Sequence, residues 1–295
     1  MSRLSIGFKA WPQDVDWARL EATWAAAGEH DVFDSAWGND HLTDPNVPRG
    51  GSSLEAMTMI ALLAHHVPGR WVGHTVLSNT FRHPAVLAKA ATLLDLATDG
   101  RFILGLGAGW HQDEHDAYGI PLPPIGERIS RLESAVRVIR ALHTPAAATE
   151  AGVSLDDVFY PLRGAVNLPA PRTPGGPPIW LGGQKPRGLK MAARLADGWP
   201  LPALPQPDVA YFKERKAAIL REMDAIGRDP TGFQFAAQVA TGEDRASRAR
   251  ARDAAIGFAR AGVTHVILGL SGRLGPDGLR LVALEVAEPI REAVG

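Results

Sequence analysis

The 295-residue chain contains no cysteine, and this absence excludes several kinds of chemistry at once. Disulfide bonds, thiolate-bound metal sites, iron–sulfur clusters and cysteine nucleophiles all require that side chain. The chain also lacks an excess of charge of either sign, since its formal net charge is −1 at pH 7. No basic surface is therefore predicted that could hold a nucleic acid or an anionic membrane. We expect neither among its partners.

Long apolar segments are missing as well. The longest nearly apolar stretch, Met57–Ala64, is far too short to cross a bilayer. The first residues, Met1–Trp11, are interrupted by Arg3, Ser5 and Lys9 and show no signal-peptide pattern. These features predict a cytoplasmic protein. With 45% hydrophobic and 21% charged residues, the composition is that of a globular protein with a large core.

The sequence does contain a regular alternation of short β-like runs and longer amphipathic runs, which is typical of βα units around a parallel sheet. The predicted strands are Leu4–Lys9, Val32–Trp37, Arg70–Ser78, Arg101–Leu106, Pro178–Gly182, Gly198–Pro200, Gln234–Ala240 and His265–Leu270. The predicted helices are Val15–Gly28, Leu54–His66, Ala85–Ala97, Glu127–Leu142, Pro186–Ala196, Asp208–Ile226, Glu243–Ala261 and Asp277–Ala293.

Eight βα units in a chain of this length favour a closed TIM (β/α)₈ barrel of the α/β class over an open doubly wound sheet. We expect a single domain over residues 1–295. Residues 144–177, between the fourth helix and the fifth strand, are rich in Pro, Gly and Ala and too long for a simple loop. They are predicted to be an insertion that forms a lid or a short hairpin.

In such a barrel the active site forms at the carboxyl ends of the strands, so the residues that follow each strand are the first candidates. After the second strand come Asp40 and His41, an acid beside a histidine. Such a pair supplies a proton-transfer group and a charge able to tune it. The alternative is an ordinary loop in which Asp40 caps a turn and His41 is solvated.

Two further strand ends carry unusual residues. Leu77–Asn79 end the third strand, where small and polar side chains would let a flat ring approach the backbone, unless Asn79 only caps the next helix. Gly105–Trp110 end the fourth strand, and alternating glycines let a ligand lie against backbone N–H groups. Their alternative role is close packing at the rim of the barrel. The spacing is not a dinucleotide fingerprint, because Trp110 stands where the third glycine should fall.

The fifth strand ends in Gly182–Gln184, followed by Lys185 and Arg187 at the start of a helix. Paired glycines at a helix N-terminus with basic side chains nearby would cradle a phosphate. An ordinary strand-to-helix turn is the alternative interpretation.

Together these strand ends resemble the luciferase-like monooxygenase family, whose members are barrel enzymes that use a flavin or a deazaflavin. The resemblance covers residues 32–200 in the right order, while the last third of the chain matches only in its βα rhythm. One G-x-G-x-G run would be weak evidence, whereas five ordered segments are strong. The matching segments are Asp40–His41, Phe81–Lys89, Asp99–Trp110, Arg128–Ile129 with Leu132–Glu133, and Pro178–Gly183 with Ala196–Trp199.

The resemblance implies a pocket built from these strand ends. It implies a bulge at the end of the third strand that supports the central ring of the cofactor, often with a non-prolyl cis peptide, here around Leu77–Asn79. It also implies a homodimer and a small-molecule substrate. The implied cofactor contacts are Asp40, His41, Leu77, Ser78, Asn79, Gly107, Ala108, Gly109, Trp110, Gly182, Gly183, Gln184 and, as a weaker candidate for the phosphate, Arg187.

The Asp40–His41 pair and the GLGAGW run with Glu114 resemble the coenzyme F420 branch of the family most, and FMN is the alternative cofactor. An F420 enzyme passes hydride to or from a substrate carbon, while a protein group handles the proton. An FMN enzyme would instead oxygenate its substrate. We assign the catalytic roles to His41, which transfers the proton, with Asp40 beside it and Glu114 as its helper. The substrate is not identifiable from the sequence.

Residues His111–His115 also fit the H-x-x-E-H pattern of some zinc peptidases. In a helix, His111 and His115 would share a face with Glu114 beside them, and a zinc hydrolase is therefore an alternative of another class. The glycine-rich strand end before the motif argues against it. We expect no metal and interpret the segment as the loop that brings Trp110 and Glu114 over the pocket.

Overall fold

The computed structural model of the chain describes residues 3–47 and 51–294. Its strands are β1 (Ser5–Trp11), β2 (Ser35–Gly38), β3 (Trp71–His74), β4 (Leu77–Ser78), β5 (Phe102–Gly107), β6 (Val153–Leu155), β7 (Leu162–Ala165), β8 (Ile179–Leu181), β9 (Gly198–Leu201), β10 (Gln234–Ala240) and β11 (His265–Ser271). Its α-helices are α1 (Trp17–Gly28), α2 (Ala56–Leu63), α3 (Pro84–Ala97), α4 (Gln112–Tyr118), α5 (Ile125–Leu142), α6 (Pro186–Leu195), α7 (Val209–Ala225), α8 (Arg245–Arg260), α9 (Gly275–Val282) and α10 (Glu288–Val294).

The parallel strands close into a barrel. Strand β1 pairs with β2 on one side and with β11 on the other, so that Phe8 is in register with both Ala36 and Leu268. On the far side β3 pairs with β5, and the ring continues through β8, β9 and β10. The predicted third strand is present in two pieces, β3 and β4, separated by two residues. The predicted (β/α)₈ barrel is therefore confirmed.

The interior of the barrel is filled below the strand ends. The indole rings of Trp37 and Trp180 stack with their centroids 4.9 Å apart and an interplanar angle of 28°. Ile103, Ala236 and Ile267 pack with them in a separate buried cluster. Burial of large side chains in this layer makes the barrel a packed core and not a pore, which leaves ligand space only toward its ends.

Residues 144–177 lie between α5 and β8, and of the lid and the short hairpin predicted for them they contain the hairpin. After a short 3₁₀ turn at Pro145–Ala148, β6 and β7 pair in antiparallel fashion with Val153 opposite Ala165. This hairpin lies against helix α5.

Two helical segments differ from the prediction. Residues 112–118 form helix α4 instead of a loop, because the His111 side chain accepts the N–H of Glu114 and Gly119 ends the helix at φ 65°. The last predicted helix is broken into α9 and α10 by a π-helical turn at Ala283–Ala287. Arg291 fixes α10 at the amino end of the barrel by donating to the carbonyl oxygens of Leu4 and Val32.

Within residues 3–47 and 51–294, every helix is either too short or too polar to cross a membrane.

Candidate active site

A cavity of about 650 Å³ lies at the carboxyl ends of the barrel strands. Its size falls in the range of pockets that hold drug-sized ligands and cofactors. Most of the predicted site residues line it, whereas the predicted cofactor contacts Asn79 and Arg187 and the predicted helper Glu114 do not. The predicted residues on its wall are Asp40, His41, Leu77, Ser78, Gly107, Ala108, Gly109, Trp110, Gly182, Gly183 and Gln184.

His41 lies on the cavity wall and is held by Glu114 from helix α4. The Nδ1 atom of His41 is 3.0 Å from Oε2 of Glu114, and the other carboxylate oxygen accepts the backbone N–H groups of Leu42 at 2.6 Å and Thr43 at 3.0 Å. Because a carboxylate only accepts, Nδ1 of His41 carries the hydrogen of this bond. The Nε2 atom of His41 is then the ring nitrogen left for a ligand in the cavity. Helix α4, which the sequence analysis treated as a loop, thus supplies the residue that fixes the histidine.

Glu114 is 2% exposed, and burial alone would raise the pKa of its carboxyl group. The hydrogen bonds from His41 and from the backbone of Thr43 and Leu42 outweigh burial and hold that pKa below its usual value. The group is therefore an ionised carboxylate near neutral pH, where it orients the imidazole of His41.

Replacing Glu114 by glutamine should lower the free energy of unfolding by about 1–3 kcal/mol at neutral pH, because the charged acceptor of three hydrogen bonds is lost. The depressed pKa of Glu114 contributes stability that is complete above the pKa of about 4.5 found in an unfolded chain and is lost as the pH falls through the lower folded value. The free energies of unfolding of the wild type and Glu114→Gln can be measured with urea at pH 7 and at about pH 3. The difference between them should be smaller at the acidic pH.

The matched control is Glu21→Gln, since Glu21 also faces a histidine, His66, at 3.5 Å but is 41% exposed. An exposed pair of this kind contributes about 0–1 kcal/mol. An equal loss in both variants, or a Glu114 difference that does not change with pH, would contradict the role of Glu114 as a buried carboxylate.

Asp40, predicted as the charge beside His41 and as a cofactor contact, is bound by an arginine. Both of its oxygens bind the guanidinium of Arg82, at 2.6 and 3.0 Å, and Oδ2 also accepts the N–H of Ser78 at 2.8 Å. Arg82 also contacts Glu55. A bidentate Arg–carboxylate pair takes up the lone pairs that a proton acceptor would need. Asp40 therefore fixes the loop after β2 against the end of β4, and we interpret it as a positioning residue.

The end of the third strand is the bulge that the resemblance implied, but two residues earlier than predicted. The non-prolyl cis peptide joins Thr75 to Val76 instead of lying within Leu77–Asn79. Val76 points across to the glycines of β5: a Cβ on Gly107 would lie 2.8 Å from Val76 Cγ2, and one on Gly105 would lie 1.8 Å from the carbonyl oxygen of His74. Gly105 and Gly107 are thus needed for close packing against the neighbouring strand, before any role in admitting a cofactor. The rim-packing alternative therefore accounts for part of the pattern.

The predicted phosphate end of the site lies between β8 and helix α6. Gln184 Oε1 accepts the hydroxyl of Tyr211 at 3.0 Å, and Gly183 accepts the indole N–H of Trp199 at 2.7 Å. Both contacts fix the turn. Lys185 lines the cavity, and at the N-cap of α6 its side chain makes no capping hydrogen bond.

Arg187, by contrast, does not reach the cavity. Its guanidinium donates to Gly126 O and to Ser130 Oγ, both at 2.8 Å, on helix α5. The predicted phosphate contact of Arg187 is not supported by this arrangement, because acceptors on α5 hold its guanidinium away from the cavity wall. Lys185 is the basic residue that lines the cavity at the predicted phosphate end.

Trp110 and Asn79 complete the set of predicted residues. Trp110 is 64% exposed at the cavity mouth, and its ring centroid lies 5.7 Å from that of His41 in an edge-to-face arrangement. Asn79 is buried, and its backbone N–H donates to Gly107 O at 2.9 Å. Asn79 belongs to the pairing of β4 with β5 and not to the wall.

The sequence analysis missed wall residues that lie within or between strands, on helices α5 and α6, and just after β9. Lys9 and Gln238 stand near the ends of β1 and β10, where a polar residue in an otherwise apolar strand was the available signal. Thr75 stands in the break of the third strand. The apolar part of the wall that was also missed comes from Ile125, Ile129, Leu132, Met191, Pro200, Pro202 and Ala203.

The H-x-x-E-H motif does not assemble a metal site. His115 is 1% exposed; its Nδ1 donates to His111 O and its Nε2 accepts the hydroxyl of Thr80, both at 2.7 Å. Its two ring nitrogens are thus both used inside the fold. Across the described ranges, no three His, Cys, Asp or Glu side chains are grouped so as to hold a metal ion. In the described ranges, the residues of this motif therefore do not form the ligands that a zinc hydrolase would need.

Known proteins with similar sequences include ketoreductases and an F420-dependent dehydrogenase. A phthiodiolone/phenolphthiodiolone dimycocerosates ketoreductase from Mycobacterium sp. (strain JLS) is 32% identical over 231 residues, covering 72% of this chain and 58% of the relative. An F420-dependent glucose-6-phosphate dehydrogenase from Kineococcus radiotolerans is 31% identical over 227 residues, covering 76% of this chain and 64% of the relative. The chain thus spans less than two thirds of the length of either relative.

Among solved structures, an F420-dependent secondary alcohol dehydrogenase in complex with an F420-acetone adduct superposes with a TM-score of 0.78 at 18% identity. The superposition covers 99% of each chain, which is a likeness of fold. The family model described as luciferase-like monooxygenase matches residues 11–285. The resemblance seen in the sequence is confirmed, and this chain belongs to the luciferase-like monooxygenase family.

Proposed function

We propose that this protein is an oxidoreductase that transfers a hydride between coenzyme F420 and a carbonyl or alcohol carbon of a small organic substrate. The observation that carries the proposal is His41, whose Nδ1 is bound by the buried Glu114 while its ring lines a cavity of about 650 Å³. A histidine held in this way can give a proton to a substrate oxygen or take one from it. Of the similar proteins above, one is a ketoreductase and two are F420-dependent dehydrogenases, and these chemistries support the same reaction class.

The walls of the cavity suit a flat ring with a charged tail. The backbone at Gly107–Trp110 and at Gly182–Gln184 offers faces with little side-chain bulk, and Ile129, Leu132 and Met191 supply an apolar wall. Lys185 at the start of α6 would contact the phosphate, where a basic side chain and the helix N-terminus both favour negative charge.

The protein residues supply positioning and a proton, while coenzyme F420, when bound, supplies or accepts the hydride. In the direction of reduction, His41 gives a proton to the carbonyl oxygen as that oxygen gains charge, and the product is an alcohol. Glu114 binds Nδ1 of His41, which leaves Nε2 for the substrate, and it stabilises the ring when it carries the extra proton. Asp40 and Arg82 keep the loop that carries His41 attached to β4.

Cofactor titration tests the proposal. Coenzyme F420 and FMN are added separately to the purified protein and binding is followed by fluorescence. The F420 complex is then mixed with 2-propanol, cyclohexanol and glucose 6-phosphate while the absorbance of the oxidised cofactor is recorded. We expect F420 to bind and to be reduced by a member of this set. Binding of FMN alone would contradict the F420 function and favour FMN-dependent oxygenation. Binding of neither cofactor would contradict both functions.

The single domain, the homodimer and the cytoplasmic location remain predictions from the sequence. Size-exclusion chromatography with light scattering would test the dimer directly.

A further inference from the structure

Lys9 is a buried cation on the wall of the cavity. Its side chain belongs to β1 and the residue is 7% exposed, and within the described ranges no carboxylate forms an ion pair with its Nζ atom. Its hydrogen-bond partner is Oε1 of Gln238 on β10. Burial lowers the pKa of the Lys9 ammonium to about 8, since no neighbouring charge compensates the loss of hydration. Burial of a lysine without an acidic partner destabilises the folded protein, unless a bound group compensates its charge.

The hydrogen bonds around Lys9 leave an excess of donors. Because an ammonium group only donates, the Gln238 atom that faces it must be the amide oxygen, and the amide NH₂ is directed elsewhere. The hydroxyl of Thr75 lies 3.3 Å from the same oxygen, as a second donor to it. One acceptor is thus shared by two donors. Two N–H bonds of Lys9 and the NH₂ of Gln238 remain without an acceptor in the described part of the chain.

The rest of the wall does not supply the missing acceptor. Asp40 is the acidic residue on the wall, and its oxygens are occupied by Arg82 and by the N–H of Ser78. Glu114 lies outside the wall and binds His41. The other basic residue on the wall, Lys185, adds positive charge. The cavity therefore suits a ligand with electron-rich oxygen atoms on the edge that meets Lys9.

The donors lie deeper than the residues assigned to proton transfer. Lys9 comes two positions before the end of β1, and Gln238 two positions before the end of β10. His41 follows the end of β2 and Trp110 follows the end of β5, so both are nearer the mouth of the cavity. Thr75 lies in the break of the third strand, which links the donors to the bulge. A flat ring that enters from the mouth would meet Lys9 with its leading edge.

We propose that Lys9 and Gln238 form a donor pair that binds the pyrimidine carbonyl edge of the cofactor ring at the floor of the cavity. The inference rests on the proposed function in requiring a flavin-type cofactor, but deazaflavin and flavin share this edge, so it holds for either. The donor pair orients the ring, and the positive charge of Lys9 opposes the negative charge that the carbonyl edge gains when the ring accepts a hydride.

The test measures cofactor binding without turnover. Coenzyme F420 and FMN are each titrated by fluorescence against the wild-type protein and against Lys9→Met, which keeps the length of the side chain but removes its charge and donors. We expect the Kd of the bound cofactor to rise about tenfold or more in Lys9→Met, as for loss of a hydrogen bond from a charged group. The thermal midpoint should stay equal or rise, because a buried charge has been removed. If Lys9 had a merely structural role, Lys9→Met would lower the thermal midpoint together with the affinity for the cofactor.

Two further variants complete the design. Lys216→Met is the matched control, because Lys216 is also partly buried and donates to Gly262 O at 3.0 Å, but it lies outside the cavity wall. Its cofactor affinity should equal that of the wild type. Gln238→Glu replaces the amide donor by a carboxylate that pairs with Lys9, and it should weaken binding as well. If Lys9→Met does not fold, the cofactor affinity of Gln238→Glu tests the donor pair in its place.

The outcomes separate this inference from the proposed function. Wild-type protein that binds a cofactor, with affinity unchanged in Lys9→Met or, if that variant does not fold, in Gln238→Glu, overturns the donor pair and leaves the function intact. Wild-type protein that binds neither F420 nor FMN overturns both. Weakened binding in the cavity variants and unchanged binding in Lys216→Met is the result we expect.

Discussion

Replacing His41 by asparagine should lower kcat by about 10²–10⁴-fold, which is the usual contribution of a general acid or base. Asparagine can still donate to the carboxylate of Glu114, so the loop should keep its position, but it has no group that exchanges a proton near neutral pH. The Kd for coenzyme F420 should change much less than kcat. Steady-state rates and fluorescence titration on the same preparation measure the two quantities.

The matched control is His65→Asn, a substitution of the same chemistry at an exposed histidine outside the cavity. It should leave kcat and the cofactor Kd unchanged. A loss of less than about tenfold in His41→Asn would remove His41 from the proton-transfer step. A parallel loss of cofactor binding would instead make His41 a binding residue, as its place on the wall also permits.

Replacing Gly105 by alanine should prevent folding or lower the free energy of unfolding by more than about 4 kcal/mol. The added Cβ would lie 1.8 Å from the carbonyl oxygen of His74, in the backbone of the adjacent part of the barrel. Neither backbone can move away without breaking the pairing of β3 with β5, which closes the ring. Urea unfolding and the yield of soluble protein measure the effect.

Gly126→Ala provides the comparison, since the nearest atom to its added Cβ is Arg187 Nη1 at 3.9 Å. Gly126 lies in the first turn of α5, where alanine is favoured over glycine by about 0.5–1 kcal/mol. The two glycine-to-alanine changes should thus act in opposite directions. A Gly105→Ala protein as stable as the wild type would mean that β3 and β5 are not packed as described.

The barrel could be predicted from the sequence because its strands are local signals. A strand such as β5, with six buried residues in a row, is recognisable as a short apolar run without knowledge of its neighbours. The position of the bulge is different in kind. Val76 fits against Gly105, Gly107 and Gly182, which come from two other strands, so its place depends on packing between residues distant in the chain.

The candidate site divides in the same way. His41, Gly107 and Gly182 could be predicted because they follow strand ends, where residues of a barrel meet. Lys9 and Gln238 could not, because each is an isolated polar residue between apolar neighbours inside a strand. Only the closed ring places β1 beside β11 and β10 beyond it. The contacts of Arg187 with α5 could not be predicted, because the sequence does not reveal which side chains of α6 find acceptors on α5.

The stacked indoles of Trp37 and Trp180 bear on the kinetic order of the reaction. Since the barrel is filled beneath the cavity, cofactor and substrate have to share the mouth beside Trp110. A ring seated at Lys9 occupies the deeper position, and a substrate beside His41 would lie above it. The cofactor would therefore bind first and leave last. The enzyme would follow a compulsory-order mechanism, in which substrate that binds before the cofactor does not react.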